Sequence, residues 1–333
     1  RFEPGLQIHP VLDRTEIVAD VQVAGRLNAA EDAGHSLNLD LDDGPNKLQT
    51  PDGKAVTMPA AAPADLLAIA LEAARAGADV VRDAAPHVRS IEWKTKKPSD
   101  FVSEVDLAAE AAVLGVVRRL APYAGILAEE SGTHAAPIPG SGGASGPIDA
   151  PTGVVFVVDP LDGTTNFLHG YPEYAVSVGV VIDGTPTAGV VIDVALNETF
   201  TASLGGGAFV NGSPIRVSDI GDPGRALIGT GFPFTRMEDV EPYIRQMERV
   251  MRGAAGVRRA GAAALDLASV AAGRFEAFWE TVLSPWDIAA GIVLVREAGG
   301  VVTDLSGAPC PVARTGVLAG NRALHAWLLE QLR

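Results

Sequence analysis

Four carboxylates set the chemistry open to this chain. Asp159 and Asp162 stand in the run Asp159-Pro160-Leu161-Asp162-Gly163-Thr164-Thr165-Asn166-Phe167, directly after residues 154–158, which are apolar at every position. Such a run reads as a buried β-strand that delivers two carboxylates and then, past a turn at Gly163, two hydroxyls. Burying one unpaired carboxylate costs on the order of several kcal/mol, so two together imply a counter-charge. No Lys or Arg lies between Val154 and Phe167. A hard divalent cation such as Mg²⁺ is then the candidate, since it takes oxygen ligands and leaves positions for water and phosphate. A second short apolar strand, residues 126–128, runs into Glu129-Glu130-Ser131-Gly132, and Pro285-Trp286-Asp287 opens a helix. Glu129, Asp159, Asp162 and Asp287 thus each sit at a strand end or helix start, where ligands of open α/β folds gather.

Each of these residues also has a plain structural reading. Asp-Pro and Asp-Gly form turns. Ser103 with Asp106 three residues on has the form of a capping box. Asp287, and by the same argument Glu280 at the end of its expected strand, carries a carboxylate at an element boundary, where a helix dipole favours negative charge. All four readings holding at once is the weaker account.

Three stretches position these residues. Residues 1–62 hold 10 acidic and 5 basic residues without helical periodicity. Alternation at 37–42 and β-prone residues at 17–23 predict a small β element there, with no chemistry assigned. Residues 59–63 read as a Pro/Ala linker. Residues 63–221 predict an α+β half: a helix from 64 to about 86, a polar loop at 94–100, a helix from 103 to about 120, and the Glu129 strand. A surface loop at 133–153 follows, readable as a lid or as a tolerated insertion, then the Asp159 strand and an antiparallel meander over 174–210 with turns at Asp183-Gly184 and Asn211-Gly212. Gly205-Gly206-Gly207 lacks the ending of a phosphate loop and reads as a hairpin bend. Residues 222–333 alternate strand and helix, the sign of an α/β layer, ending in a helix over 323–332.

Composition narrows the function classes. The 333 residues are 47% hydrophobic and 20% charged, which excludes a disordered chain and suggests two packed subdomains. A formal net charge of -15 argues against nucleic acid as the partner. It leaves an anionic substrate open, since a bound metal reverses the local field. Cys310, the only cysteine, excludes an internal disulfide and reads as a packed thiol. No long apolar stretch and no basic-then-apolar N-terminal plan is present, giving the expectation of a soluble cytoplasmic protein without a membrane partner.

Three motifs resemble the signatures of the inositol monophosphatase family: Ala128-Glu129-Glu130-Ser131-Gly132, Val158 through Phe167, and Pro285-Trp286-Asp287-Ile288-Ala289-Ala290-Gly291. Gly231-Phe232-Pro233-Phe234, Ala263-Ala264-Leu265-Asp266-Leu267-Ala268 and Arg296-Glu297-Ala298-Gly299-Gly300 support the likeness, which covers residues 63–332 in order. The resemblance implies a layered α-β-α-β-α fold shared with fructose-1,6-bisphosphatases, Mg²⁺-dependent hydrolysis of phosphate monoesters, and a homodimer. It implies a first metal held by Glu129, Asp159 and the Leu161 carbonyl, and a second by Asp159, Asp162 and Asp287. A third, weaker metal would sit near Glu129 through waters. It also implies that Asp106 hydrogen-bonds Thr164, that the backbone N–H groups of Gly163 and Thr164 bind phosphate, and that Asp162, Ala263, Glu280 and Asp287 meet the alcohol side of the substrate. Where the family often has a hydroxyl, this chain has Ala262, which leaves the alcohol open.

Phosphate monoesters hydrolyse so slowly that positioning, at about 7–11 kcal/mol, needs strong charge stabilisation beside it. The expected mechanism is in-line attack by a water that Glu129 and Thr164 orient and deprotonate, without a phosphoenzyme. Inositol-1-phosphate is the first candidate substrate; histidinol phosphate, fructose-1,6-bisphosphate and 3′-phosphoadenosine 5′-phosphate are the alternatives. A bisphosphate calls for a basic cluster, for which Arg258 and Arg259 are the candidates. A haloacid-dehalogenase-type phosphatase would need Asp two residues after Asp159, where Leu161 stands. A non-catalytic interaction protein using residues 1–62 is the reading from another class.

Overall fold

The computed structural model describes residues 47–49, 55–57, 62–97, 100–135, 153–234 and 236–333. Strands β1 (Lys47–Gln49) and β2 (Ala55–Thr57) pair with each other. The β element expected at 17–23 and 37–42, and residues 136–152 of the expected surface loop, lie outside the described residues.

Two helices form the first layer. In α1 (Pro63–Ala84), Pro63 at the first position suits a helix start, and Leu66, Ala70, Ala73, Ala74, Gly77, Ala78 and Val81 bury one stripe. In α2 (Glu104–Leu120) the N-cap is Ser103, with Asp106 closing a capping box. Between them the expected polar loop is instead a hairpin, β3 (Trp93–Lys97) and β4 (Asp100–Ser103). The correction has a local cause: Trp93, Thr95, Phe101 and Val102 suit a pleated surface, and Trp93 packs edge-on against Phe101 at 5.1 Å between centroids.

The first sheet contains β5 (Gly125–Ala128), β6 (Gly132–His134), β7 (Val154–Asp162), β8 (Ala175–Ile182), β9 (Thr185–Asp193), β10 (Glu198–Ser203), β11 (Gly207–Val210) and β12 (Ser213–Pro214). Its order is β12-β11-β10-β9-β8-β7-β5-β6, antiparallel except for the parallel pair β5–β7. Thr133 and His134, expected in the surface loop, belong to β6. The short helix α3 (Thr164–Leu168) connects β7 to β8. β7 does not stop at Asp159, as its apolar run suggested, but continues to Asp162 with a register shift against β8. Such a bulge tolerates Pro160, which has no N–H to give the ladder, and it re-aims the side chains on either side.

The second sheet holds β13 (Leu227–Thr230), β14 (Gly256–Arg258), β15 (Ala277–Leu283), β16 (Val301–Thr303) and β17 (Thr315–Gly320), in the order β14-β13-β15-β17-β16. Glu280 is not at the end of β15 but at a register shift inside it, a correction of the same kind. Helices α5 (Ala263–Ala271) and α6 (Pro285–Glu297) lie between the sheets in one core with Phe200, Phe278 and Val317. Helices α4 (Val240–Gly253) and α7 (Arg322–Leu332) cover the outer face of the second sheet through Tyr243, Val250, Leu324 and Leu328. With α1 and α2 on the far face of the first sheet, the layers run α-β-α-β-α. No helix among the described residues is long and apolar enough to cross a membrane.

One contact in this stack fixes the site. Gly179 of β8 and Gly189 of β9 are cross-strand partners. A Cβ built on Gly179 would lie 2.5 Å from Ala289 Cβ, and one on Gly189 would lie 2.6 Å from the Ala290 carbonyl oxygen. Helix α6 therefore rests on bare sheet backbone, and its N-terminus carries Asp287.

Candidate active site

The site is built from three chain breaks in regular structure. Glu129 directly follows β5, and its backbone N–H donates to Val158 O at 3.1 Å. β7 bulges through Asp159 and Asp162, and α6 begins two residues before Asp287. Glu129 and Asp287 both come within hydrogen-bonding reach of Asp159. Asp162 Oδ2 accepts from Ala264 N–H at 2.7 Å, and Asp287 Oδ2 accepts from Ser284 N–H at 2.7 Å.

This gathering is electrostatically uphill. Two unit charges ~4 Å apart at an effective dielectric constant near 20 repel by about 4 kcal/mol. Burial pushes Asp159 well above the usual carboxylate range, and Glu129, Asp162 and Asp287 add to it. Burial raises Glu129 and Asp287 as well, and each is raised further by a neighbouring carboxylate. Asp162 rises for the same reasons against the pull of the Ala264 N–H. Glu280 is pushed up to about 8 by burial and by Asp287. The one ion pair these residues make among the described residues joins Glu129 to Lys96, at 3.1 Å; the same ammonium also bonds Glu130. Burial disfavours the Lys96 charge, but the two glutamates outweigh it and raise its pKa.

Asp106 stands behind this cluster. Its Oδ2 accepts from Ser103 N–H at 2.9 Å and from Ser103 Oγ at 2.6 Å. Its Oδ1 lies 3.0 Å from Thr164 Oγ1, which is also 2.9 Å from the Leu161 carbonyl. One hydroxyl proton serves one acceptor at a time, so a cation on the Leu161 oxygen would leave Thr164 donating to Asp106. Gly163, which precedes Thr164, has φ +87°, and a Cβ there would meet Glu173 O at 2.7 Å. Only glycine makes this turn without strain.

Glu129, Gly163, Thr164, Glu280 and Asp287 line one cleft of roughly 730 Å³. Asp159, Asp162, Leu161 and Asp106 stand behind its wall, and so does Ala263, 8% exposed. Among the described residues no three His, Cys, Asp or Glu side chains surround a common point at ligand distance. The carboxyls are turned onto one another, onto backbone N–H groups and onto Lys96. Yet the donor set fits a hard cation by type: all its atoms are oxygens, and their raised pKa values express an unmet demand for positive charge.

A scan against known families matches residues 62–333 to the inositol monophosphatase family. The chain belongs to that family. A relative from Pseudomonas aeruginosa named Nus factor SuhB is 41% identical over 270 residues, covering 80% of this chain and 96% of its own length. An inositol-1-monophosphatase from Mesorhizobium japonicum is 39% identical over 269 residues, again covering 80% of this chain and 96% of its own length. The crystal structure of extragenic suppressor protein suhB from Bartonella henselae superposes with a TM-score of 0.73 at 38% identity, covering 80% of this chain and 98% of that one. Inositol monophosphatase family members are phosphatases and generally metal-dependent, which agrees with the donor chemistry.

Sequence reading missed part of this family member's site. Lys96 lies in the expected polar loop, 33 residues from Glu129, and the sequence signal for it is a cation-rich run beside a cation-poor acidic motif. Phe101, Arg236 and Arg314 line the cleft with no sequence signal that marks them, whereas Arg258, one of two basic candidates, does not line it.

Proposed function

We propose that this phosphatase hydrolyses a small phosphorylated polyol or sugar, inositol-1-phosphate first, with Mg²⁺ held among Glu129, Asp159, the Leu161 carbonyl, Asp162 and Asp287. The observation that carries the reading is the convergence of four carboxylates from two strands and one helix start, with Lys96, paired to Glu129, as the one cation that forms an ion pair with any of the four among the described residues. Bound there, divalent cations would lower the pKa of water and neutralise charge on the phosphate and the departing alkoxide. Thr164, donating its proton to Asp106, turns a lone pair toward a water that Glu129 can deprotonate. The backbone N–H groups of Gly163 and Thr164 receive the phosphate oxygens. Glu280, with Asp162 and Ala263 behind it, meets the alcohol. Attack is in line, with no phosphoenzyme.

A homodimer accompanies this reading on family likeness alone, and a cytoplasmic location on the sequence pattern. Histidinol phosphate, fructose-1,6-bisphosphate and 3′-phosphoadenosine 5′-phosphate remain the alternative substrates. The relatives named Nus factor favour a second reading, an interaction role, and the net charge of -15 points to a protein rather than a nucleic-acid partner. The match beginning at residue 62 supports a catalytic unit that leaves residues 1–61 to such a role.

The test is phosphate release from those four substrates with and without Mg²⁺. Mg²⁺-dependent release is expected. No release from folded protein would sink the phosphatase reading in favour of the interaction role. In an active enzyme Thr164→Ala should lower kcat about 10²-fold with little change in KM; a KM effect alone would move Thr164 from water activation to binding.

A further inference from the structure

Helix α2 carries two buried carboxylates one turn apart, Asp106 and Glu110, at 1% and 4% exposure. Residues four apart on a helix share a face, so both side chains leave α2 on the same side. Asp106 uses that side to hold the Thr164 hydroxyl. A carboxylate buried this far needs a donor, and Glu110 takes one from the main chain just past β5: its Oε2 accepts the Glu130 N–H at 2.9 Å.

That bond falls in a turn. β5 and β6 pair through Ala128 and Gly132, and residues 129–131 join them. The Glu130 N–H therefore takes the Glu110 carboxylate where a strand would offer a carbonyl. The preceding peptide is held from another direction, since Glu129 N–H donates to Val158 O at 3.1 Å. These two N–H groups belong to the two peptide planes that flank the Glu129 Cα. Peptide groups are planar, so fixing both planes fixes the two soft dihedrals between them and with them the direction of the Glu129 side chain. The Glu130 side chain is tied separately, to Lys96 of β3. Glu129 lines the cleft, whereas Glu110 and Glu130 do not.

We propose that Glu110 is a positioning residue for Glu129, acting through the Glu130 peptide. One rigid helix then sets both groups assigned to the attacking water: Thr164 through Asp106, and Glu129 through Glu110. The helix is firmly seated, with Ala109, Val113 and Val117 fully buried in the core it shares with α1. Outer partners that orient a site residue typically contribute about 10- to 100-fold to metal affinity or activity. This inference rests on the phosphatase reading.

The experiment compares three variants of the full chain. Glu110→Met keeps the bulk and removes the acceptor; Glu110→Gln keeps a carbonyl that can accept. Val113→Ala loosens the packing of α2 and touches neither carboxylate. Steady-state kinetics with inositol-1-phosphate and calorimetry with Mg²⁺ alone are read for each. Glu110→Met should lower kcat about 10-fold with KM nearly unchanged, and weaken Mg²⁺ binding by a similar factor. Glu110→Gln should recover most of both, and Val113→Ala should lower Tm without moving either. Mg²⁺ binding that Glu110→Met leaves intact overturns the proposal. So do equal losses in Val113→Ala, which would make the effect one of helix stability, and equal losses in Glu110→Gln, which would assign it to charge. If Glu110→Met does not fold, amide hydrogen exchange in the wild type decides: the Glu130 N–H should be protected, and exchange as fast as at exposed Ser131 overturns the proposal. A wild type that releases no phosphate sinks the phosphatase reading, while Mg²⁺ affinity and amide exchange still judge Glu110.

Discussion

Helices α2 and α6 start in the same way and do different work. Each begins at a serine followed three residues later by an aspartate, Ser103 with Asp106 and Ser284 with Asp287, and in each the aspartate Oδ2 accepts the serine N–H. Asp106 then takes two hydroxyl groups, Ser103 and Thr164, so its oxygens meet donors. Asp287 takes one backbone N–H and faces carboxyls, and burial and Asp162 raise its pKa against the pull of Ser284 N–H and Arg314. An identical local motif becomes a positioning group where its surroundings donate hydrogen bonds and a proposed metal ligand where they repel. The capping box decides which oxygen is spent on the helix; the tertiary structure decides what the other one meets.

Isosteric substitution at both sites is the strongest way to break that comparison. Asp287→Asn should lower kcat by on the order of 10³-fold, the equivalent of several kcal/mol of lost charge stabilisation. The Mg²⁺-dependent rise in Tm should shrink with it. Asp106→Asn should cost only about 10-fold, as for groups that orient others. Equal losses in steady-state assays would mean that the two aspartates do not divide the roles.

Titration sharpens it. Glu129, Asp159, Asp162, Asp287 and Glu280 all have folded pKa values raised above their unfolded ones. A raised pKa contributes stability that is fully present below the unfolded value, near 4, and is lost as pH rises through the folded value. For Glu280 that value is about 8. Metal-free protein should therefore melt on the order of 5–10 °C lower at pH 8.5 than at pH 5.5, and Mg²⁺ should restore more at pH 8.5. A melting temperature that rises with pH would show that the carboxyls are not crowded. Asp287→Asn should flatten the profile.

The smallest effect concerns how α6 reaches the site. Gly189→Val places atoms where the Ala290 backbone lies. Overpacking of this kind costs about 1–3 kcal/mol, and the helix must shift to accommodate it. Calorimetry should show weaker Mg²⁺ binding along with the lower Tm. A variant that loses stability but binds Mg²⁺ as before would show that the resting place of α6 does not set Asp287.

Much of the fold was legible because its elements are locally consistent. The stripe of α1, the Ser103–Asp106 cap, the meander β8–β11 and the alternation after residue 222 each follow from periodicity and turn chemistry. The bulges at Asp159–Asp162 and Glu280 were not, since a strand that slips register carries no sequence period. The hairpin β3–β4 was masked by its lysines, which read as solvated loop until paired. At the site, the acidic residues were legible from motif, but Lys96, Arg236 and Arg314 reach it from segments remote in sequence.

The sequence by itself determined which groups are offered: oxygens at strand ends and helix starts, a glycine at the Gly163 turn, and hydroxyls after it. These follow from local rules, since caps, turns and apolar runs involve residues only a few positions apart. What only the tertiary structure decided is who meets whom. Gly179 and Gly189, unremarkable within their strands, let α6 settle on the sheet, and that long-range contact brings Asp287 within reach of Asp159. Arg259 likewise depends on two exposed phenylalanines from another loop to hold its guanidinium. Repulsion among carboxylates, and the demand for cations that it creates, depends on distances of a few ångströms between separate elements, and no local pattern encodes those distances.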